Sequence, residues 1–261
     1  MDLIRTSFTD DPAVGPALAR ILLGQVAAGQ RGPTLRIART GPAVAFGRRD
    51  AVSPGYREAA GIAAELGYPG IERLSGGRAT AYVNETLVIG ITLPDREPAR
   101  RTGERFDWVA GTVEAALGRL GFDAAIGPLA GEYCPGDHSI NLEGRVKVAG
   151  LGQRMISGAA HVGVVLTLSG SDQLRDLLVP VYRALGIEWD PSTVGSLADL
   201  APRSTAELER VSEAIVAAFG RQRELVERKL DPATEAEANE TAKAYRSPRP
   251  LTGDRESGNP H

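Results

Sequence analysis

Apolar residues recur along the chain with two different periods, which predict helices interspersed with short strands. Spacings of three and four residues predict helices over 12–26, 56–66, 106–120, 171–185 and 204–219. Short β-like or alternating runs predict strands over 34–37, 43–46, 87–93, 145–148 and 161–168. Thr40-Gly41-Pro42 separates the first two strands and predicts a hairpin or tight connection. Several strands are joined by short turns, so the pattern favours an α+β fold with a mixed, largely antiparallel sheet flanked by helices.

The hydrophobic pattern also suggests where the folded domain ends. The length of 261 residues suits one large domain with a small appendage. After Pro232 the chain is rich in Glu, Ala, Thr, Arg and Pro and has few large apolar residues. We therefore expect one domain over 1–230 and a polar, disordered tail over 231–261.

Charge and composition exclude several classes of function. The net charge of -3 gives no basic excess, so nucleic acid is not an expected partner. No apolar run approaches the length of a membrane span, and the first residues lack the pattern of a signal peptide. One cysteine excludes an internal disulfide and fits a reducing cytoplasm. We expect a cytoplasmic protein without membrane contact, and a monomer, since nothing in the sequence marks an interface.

The only cysteine lies in a turn sequence, Cys134-Pro135-Gly136. Proline presets such a turn, and Gly136 is expected to take the positive φ that a type II turn requires. This geometry would hold the thiol at a rim. A lone cysteine is also commonly a small buried hydrophobe, so position alone leaves both interpretations open.

A short strand that carries Lys147 follows this turn. Val146 and Val148 alternate with Arg145 and Lys147, which predicts valines facing the core and cations on the opposite face. Gly150 and Gly152 then suit a backbone that a ligand or another segment approaches closely. A solvated strand edge is the structural alternative for the lysine.

A second informative stretch reads Arg73-Leu-Ser-Gly-Gly-Arg78. Two glycines leave room for a ligand against the backbone, and arginines can bind a phosphate or carboxylate. The run lacks the lysine and hydroxyl residue of a P-loop and does not match the dinucleotide-binding glycine pattern. An ordinary hairpin loop is the alternative interpretation.

Three ordered motifs together resemble the biotin/lipoate A/B protein ligase family: Arg73-x-Ser-Gly-Gly, Glu132-Tyr-Cys-Pro-Gly, and Lys147-Val-Ala-Gly-Leu-Gly-Gln-Arg154 with His161 beyond. The chain is most similar to the cysteine-bearing octanoyltransferase and lipoyl amidotransferase branch, over roughly residues 35–230. The resemblance implies the fold of the biotinyl/lipoyl protein ligase catalytic domain. It also implies transfer of an octanoyl or lipoyl group, through a cysteine thioester, to the lysine of a lipoyl domain.

The resemblance also assigns roles to residues. It makes Cys134 the acyl-accepting nucleophile and Lys147 the lysine that contacts the acyl carbonyl. The expected substrate-binding residues are Arg73, Ser75, Gly76, Gly77, Gly150 and His161. His138 and His161 are candidate bases, but we assign neither of them a catalytic role. No metal is expected.

Partners and alternatives follow from the same resemblance. Lipoyl-domain proteins, together with acyl carrier protein or glycine-cleavage H protein, are the implied donors and acceptors, and no cofactor is needed. The alternative is a lipoate-protein ligase that uses ATP and Mg²⁺ to form a lipoyl-adenylate. The ligase pattern Arg-Arg-x-x-Gly-Gly-Gly is absent here, which disfavours that alternative. A non-catalytic module that binds acyl groups or lipoyl domains is the third hypothesis.

Overall fold

The computed structural model describes residues 1–83, 85–201 and 204–248. Within these ranges the chain forms seven α-helices and twelve β-strands. The helices are α1 (Val14–Ala27), α2 (Arg48–Ala51), α3 (Tyr56–Glu65), α4 (Thr102–Arg119), α5 (Ser171–Ala184), α6 (Leu208–Gly220) and α7 (Pro232–Thr241). The strands are β1 (Asp2–Phe8), β2 (Thr34–Thr40), β3 (Ala43–Phe46), β4 (Gly70–Glu72), β5 (Thr80–Tyr82), β6 (Thr86–Pro94), β7 (Ala124–Ile126), β8 (Ile140–Leu142), β9 (Val146–Ile156), β10 (Ala159–Thr167), β11 (Val226–Glu227) and β12 (Arg246–Ser247).

Eight strands form one large sheet in the order β11-β1-β2-β6-β10-β9-β8-β7. Strand β1 runs parallel to β2 and β11, and the remaining neighbours pair antiparallel. The predicted mixed, largely antiparallel sheet flanked by helices is confirmed. Strands β9 and β10 of this sheet are consecutive and joined by a tight turn, as expected for a hairpin.

The other four strands form a small sheet in the order β12-β4-β3-β5. Of the predicted hairpin or tight connection between 34–37 and 43–46, the tight connection is confirmed, since only two residues separate β2 from β3. The hairpin is wrong, because β2 belongs to the large sheet and β3 to the small one. Gly41 makes this change of sheet possible: a Cβ there would lie 2.2 Å from the carbonyl oxygen of Thr9. The chain between β4 and β5 is the Arg73–Arg78 loop, so this sheet holds both ends of that loop.

Helices cover the two faces of the large sheet. On one face α4 and α6 pack against inward-facing residues of β6 and β10, such as Ile89 and Val164. On the other face α1 buries Leu18 and Leu22 in a separate apolar cluster. Because side chains alternate along a strand, the residues between those core positions face α1. The site described below lies on that α1 face.

The expected disordered tail is wrong for the described part of the C-terminal segment. Helix α7 packs on α1 and buries Ala238, while β12 adds a strand to β4. The Asp231 side chain caps α7 and pairs with Arg31 at 2.7 Å. Small alanine side chains allow this close packing, and a search for large apolar residues misses them. Residues 249–261 lie outside the described residues, and the assignment of catalysis to 1–230 stays a prediction.

Among the helices of the described residues, none has the length and apolar content needed to cross a lipid bilayer.

Candidate active site

The Cys134 turn has a strained backbone. Cys134 itself has a φ of 43°, whereas Gly136 does not adopt a positive φ, so the predicted type II geometry is wrong. A positive φ is uncommon for a residue with a Cβ and needs support from its surroundings. Tyr182 Oη accepts a hydrogen bond from the Cys134 amide at 2.9 Å, and Lys147 Nζ donates to the Cys134 carbonyl oxygen at 2.8 Å. The fold thus fixes the cysteine from both sides.

Donors from the Arg73–Arg78 loop surround the sulfur of Cys134. Arg73 Nη2 lies 3.1 Å from Sγ, and the backbone N–H of Arg78 lies 3.2 Å from it. Burial raises the pKa of the thiol, but Arg73, Lys147 and these hydrogen bonds together outweigh burial and lower the pKa below its ordinary value. The thiolate is therefore easier to form than in an ordinary cysteine, which suits a nucleophile.

Gly77 brings the loop close to the sulfur. Its φ is +106°, and a Cβ there would lie 2.1 Å from Arg73 Nη2 and 2.9 Å from Cys134 Sγ. No other residue type fits this position without displacing the arginine or the cysteine. Gly76 has open space at its Cβ position. Glycine is therefore sterically required at position 77 but not at position 76.

Lys147 is one of the most buried large side chains of the protein, with 1% exposure. Its ammonium group donates to Glu132 Oε1 at 2.9 Å, to the Tyr133 carbonyl at 3.0 Å and to the Cys134 carbonyl. An ammonium has three hydrogens, so these contacts use all of them. Burial lowers the pKa of Lys147, and the nearby Cys134 and Glu132 oppose this effect. The predicted contact with an acyl carbonyl stays a prediction; in the structure the lysine holds the cysteine loop.

Glu132 is a site residue that the sequence did not single out, although it stands in the quoted cysteine motif. Its buried carboxylate accepts from Lys147, from Ser139 Oγ at 2.5 Å and from the backbone N–H groups of Gly136 and Leu129. One carboxylate therefore joins the loop before the cysteine to the loop after it. A glutamate two residues before a cysteine gives no sequence signal of this role, since the contacts come from three segments.

Cys134 opens into a surface groove, which we call the cysteine groove. Its lining includes Arg48, Arg49, Val52, Gly76, Gly77, Cys134, Pro135, Gly136, Leu151, Gly152 and Met155. Beside it lies a second space, the apolar pocket. Apolar side chains on its wall include Phe8, Pro12, Pro16, Ala19, Ala38, Val88 and Val165, and the predicted residues Arg73, Ser75, Gly150 and His161 also line it. Gly152 lines both spaces, so the cysteine lies next to a compartment suited to an acyl chain.

A row of residues across four strands forms the floor of the apolar pocket. Arg36 on β2, Gly90 on β6, Gly163 on β10 and Gly152 on β9 are register partners. A Cβ on Gly152 would lie 2.8 Å from Ser75 Oγ, and a Cβ on Gly90 would lie 3.0 Å from His161 Cε1. The missing side chains therefore let the Arg73–Arg78 loop and the His161 ring pack close to the sheet.

His161 lines the apolar pocket but is poorly suited to act as a base. Its ring is buried, and Nδ1 shares a hydrogen bond of 2.9 Å with Thr92 Oγ1. Burial, followed by the charge of Arg36, lowers the pKa of His161 to about 3. The ring is neutral at ordinary pH. His138 lies near the surface, with Nε2 2.7 Å from Asp107 Oδ1, outside both spaces.

Seven of the eight predicted site residues line the two neighbouring spaces. The eighth, Lys147, lies buried behind the cysteine loop and lines neither space. The catalytic and binding roles of all eight stay predictions. Sequence reasoning missed Glu132, Tyr182 and Arg36. Across the described residues, no group of three or more His, Cys, Asp or Glu side chains could hold a metal ion.

The fold defined by this sheet and its helices is that of lipoate-protein ligases. Protein Ta0514 from T. acidophilum, in a structure with bound lipoic acid, superposes with a TM-score of 0.74 at 17% identity, covering 93% of this chain and 95% of that chain. A lipoate-protein ligase A bound with ATP has the same TM-score and identity, covering 93% of this chain and 94% of its own. The model of the lipoyl protein ligase A/B catalytic domain matches residues 11–220, and the chain belongs to that family.

Curated relatives carry a more specific name. The octanoyl-[GcvH]:protein N-octanoyltransferase of Geobacillus kaustophilus is 27% identical over 195 residues, which cover 75% of this chain and 68% of the relative. The enzyme of the same name from Kyrpidia tusciae is 34% identical over 134 residues, covering 50% of this chain and 45% of the relative. The chain thus spans about half to two thirds of the length of these relatives.

Proposed function

We propose that this protein transfers an octanoyl group, through a thioester on Cys134, to the lysine of a lipoyl domain. The observation that carries the proposal is the Cys134 sulfur, which lies within hydrogen-bond distance of Arg73 and the Arg78 amide and beside the apolar pocket. A thiolate stabilised by cationic donors is a nucleophile, and an adjacent apolar compartment accommodates an aliphatic chain. The names of the curated relatives support an octanoyl-[GcvH] donor.

The reaction has two steps that balance without ATP. In the first, the Cys134 thiolate attacks the carbonyl of an octanoyl-lysine amide; a C–S bond forms, the C–N bond breaks and the leaving amine takes a proton from solvent. In the second, the neutral amine of the acceptor lysine attacks the thioester; a C–N bond forms, the C–S bond breaks, the amine releases one proton to solvent and the thiolate returns. One amide replaces another, so no external activation is needed.

The chain's own residues serve this chemistry in distinct ways. Arg73 stabilises the thiolate before the attack. As the acyl group binds, the sulfur loses its charge, and the N–H groups of Arg73 and Arg78 become available to the oxygen that gains charge. Lys147 and Glu132 hold the cysteine in its strained conformation. The apolar pocket holds the aliphatic chain of the acyl group, and the cysteine groove holds its reacting carbonyl.

The proposal also includes the acceptor, the donor, the oligomeric state and the compartment. The acceptor is a lipoyl-domain protein and the donor is the octanoylated H protein of glycine cleavage; octanoyl-acyl carrier protein is the alternative donor. We also propose that the protein acts as a monomer. The reducing cytoplasm is the compartment that keeps the single thiol free.

Intact-mass spectrometry tests this proposal directly. The protein is mixed with octanoyl-[GcvH], with octanoyl-acyl carrier protein, or with octanoate plus ATP and Mg²⁺, each with and without an apo lipoyl domain. We expect an octanoyl adduct without ATP, released by hydroxylamine and moved to the lipoyl domain. Cys134 is the only cysteine, so a hydroxylamine-sensitive adduct identifies its site.

Cys134→Ala and Cys134→Ser provide the decisive comparison. Both should abolish the adduct and the transfer. Modification that needs ATP and survives in Cys134→Ala would replace the transferase by the ATP-dependent ligase. Binding of the lipoyl domain without any transfer by the unmodified protein would favour the non-catalytic module.

A further inference from the structure

Four arginines surround an open hollow beside the cysteine groove. Arg20 comes from α1, Arg48 from α2, Arg57 from α3 and Arg154 from β9, and all four side chains are exposed. The hollow and the cysteine groove share Arg48, Val52, Gly76 and Gln153 in their linings. A molecule seated in the hollow would therefore reach the mouth of the groove that contains Cys134.

None of these four arginines forms an ion pair or a side-chain hydrogen bond with any of the described residues. Of the described residues that line the hollow, Glu72 alone is acidic, and its carboxylate accepts a hydrogen bond from Tyr56 Oη. The whole chain carries a net charge of -3. The positive charge at this face is thus a local concentration and not a property of the whole surface.

Exposed apolar side chains lie beside the arginines. Val52 is 77% exposed and lines both the hollow and the groove, and Met155 is 36% exposed and lines the groove. The other large apolar side chains with comparable exposure, among the described residues, are Leu66 and Val226. An exposed apolar centre with a rim of arginines is typical of a protein-binding surface.

We propose that this surface, the docking face (Arg20, Arg48, Val52, Arg57, Arg154 and Met155), binds the acceptor as a folded, acidic protein domain that presents its lysine to Cys134. The inference rests on the proposed function and names the surface that selects the acceptor. The arginines come from four separate elements and spread around a wide opening, which suits a broad acidic surface better than one compact phosphate. The exposed Val52 also matches a protein surface and has no counterpart in a phosphate.

A single-turnover experiment tests the docking face separately from the chemistry. Cys134 is first acylated with the small thioester octanoyl-N-acetylcysteamine, and the deacylation rate is then measured with two acceptors. The first acceptor is an apo lipoyl domain with a net negative charge, and the second is hydroxylamine, which needs no docking. The ratio of the two rates reports docking alone, because both reactions consume the same thioester.

Charge reversal at Arg57→Glu with Arg154→Glu should lower this ratio by about tenfold at low salt, since like charges then face the acidic domain. The wild-type ratio should fall with added salt, and the ratio of the double variant should not. The matched control is Arg210→Glu with Arg221→Glu, two exposed arginines at α6 that line neither space. Val52→Ser tests the apolar centre without changing charge and should lower the ratio by about threefold, the effect of losing a small apolar contact.

The rate ratio and the thioester measurements distinguish failure of the docking inference from failure of the proposed function. A ratio that is the same in the wild type and the charge-reversal variant overturns the docking inference alone. Loss of ATP or inorganic phosphate binding in that variant, with an unchanged ratio, overturns it in favour of a small-anion site. If the wild-type protein forms no thioester, or its thioester reacts with hydroxylamine but never with a lipoyl domain, the proposed function fails and the docking inference fails with it.

Discussion

Cys134 lines the cysteine groove and His161 lines the neighbouring apolar pocket, and their surroundings give them different properties. The cysteine end consists of Glu132, Cys134, Lys147 and the Arg73–Arg78 loop, and its cations outweigh burial and lower the pKa of the thiol. The histidine end consists of Arg36, Thr92 and His161, and burial there lowers the pKa of the imidazole to about 3.

The same two physical effects thus favour the charged form of the cysteine at one end and the neutral form of the histidine at the other. A cation favours a thiolate and disfavours an imidazolium. At the cysteine end the cations stabilise the nucleophile, whereas at the histidine end Arg36 and burial keep the ring uncharged beside the apolar pocket. Burial of a titratable residue in this site therefore does not by itself indicate catalysis.

The largest effect is expected at the buried ion pair of the cysteine end. Lys147→Met leaves the Glu132 carboxylate buried without its cation and should lower the free energy of unfolding by about 3–5 kcal/mol, the usual cost of breaking a buried pair. Urea unfolding at pH 7.5 measures this loss. Glu132→Gln and the double variant complete a double-mutant cycle, which should show strong coupling between the two positions.

Arg145→Met is the matched control for Lys147→Met. Arg145 precedes the same strand, but its side chain is exposed and its pair with Glu143 is 3.3 Å long at the surface. Loss of an exposed pair should cost at most about 1 kcal/mol. Equal effects of the two substitutions would contradict the structural role of Lys147.

Gly77→Ala should produce the next largest effect, because the new Cβ collides with Arg73 Nη2 and Cys134 Sγ at a φ of +106°. We expect a loss of about 1–3 kcal/mol in stability from the strained backbone. Alkylation of Cys134 by iodoacetamide at pH 7 should slow as well, since the arginine is displaced from the sulfur. Gly76→Ala has open space and should keep both the unfolding free energy and the alkylation rate. If the two alanine variants behave alike, the close approach of the loop to the sulfur is wrong.

A smaller and more specific effect is expected from Arg73→Gln. Removing this guanidinium should raise the pKa of the Cys134 thiol towards its ordinary value, so the pH midpoint of iodoacetamide alkylation should move upward. Octanoyl transfer should fall by about a hundredfold, the lower end of the usual loss when one donor to a reacting oxygen is removed.

Arg78→Gln separates the side chain of Arg78 from its backbone. The Arg78 guanidinium pairs with Asp50 at 3.3 Å, while its backbone N–H contacts the sulfur. The substitution keeps the backbone donor, so the alkylation midpoint should move less than in Arg73→Gln. A larger movement in Arg78→Gln would mean that the side chain of Arg78, and not that of Arg73, stabilises the thiolate.

The cysteine end was largely predictable from sequence because its residues stand in three short motifs. Cys134, Lys147 and the Arg73–Gly77 run appear as chemically unusual residues beside turns and glycines. Glu132 was not predicted, since its partners come from the segments that contain Leu129, Ser139 and Lys147. Periodicity predicts which face of a strand a residue occupies, but it gives no information on which loops cover that face.

The same limit explains the errors in the fold. Local turn chemistry predicted a positive φ at Gly136, but contacts from Tyr182 and Lys147 place it at Cys134 instead. The mixed sheet and its helices were predictable from alternation and helical spacing. The placement of β3 in the second sheet and the packing of α7 on α1 depend on long-range contacts of small residues, such as Gly41 and Ala238, which carry weak hydrophobic signals.

The smallest effect is expected at the histidine end, where only the pH dependence of stability should change. The folded pKa of His161, about 3, lies below the unfolded value of about 6.5, so the unfolded chain binds a proton first as the pH falls. The contribution of His161 to stability is therefore complete above pH 6.5 and declines below it, by about 1.4 kcal/mol at pH 5.5. His161→Gln should remove this decline, so the difference in unfolding free energy between pH 8 and pH 5.5 should be smaller by that amount than in the wild type. Urea unfolding at the two pH values measures it, with His138→Gln as the control for loss of a surface histidine. An unchanged pH dependence in His161→Gln would mean that the ring takes up its proton in the folded protein, and the contrast between the two ends of the site would disappear.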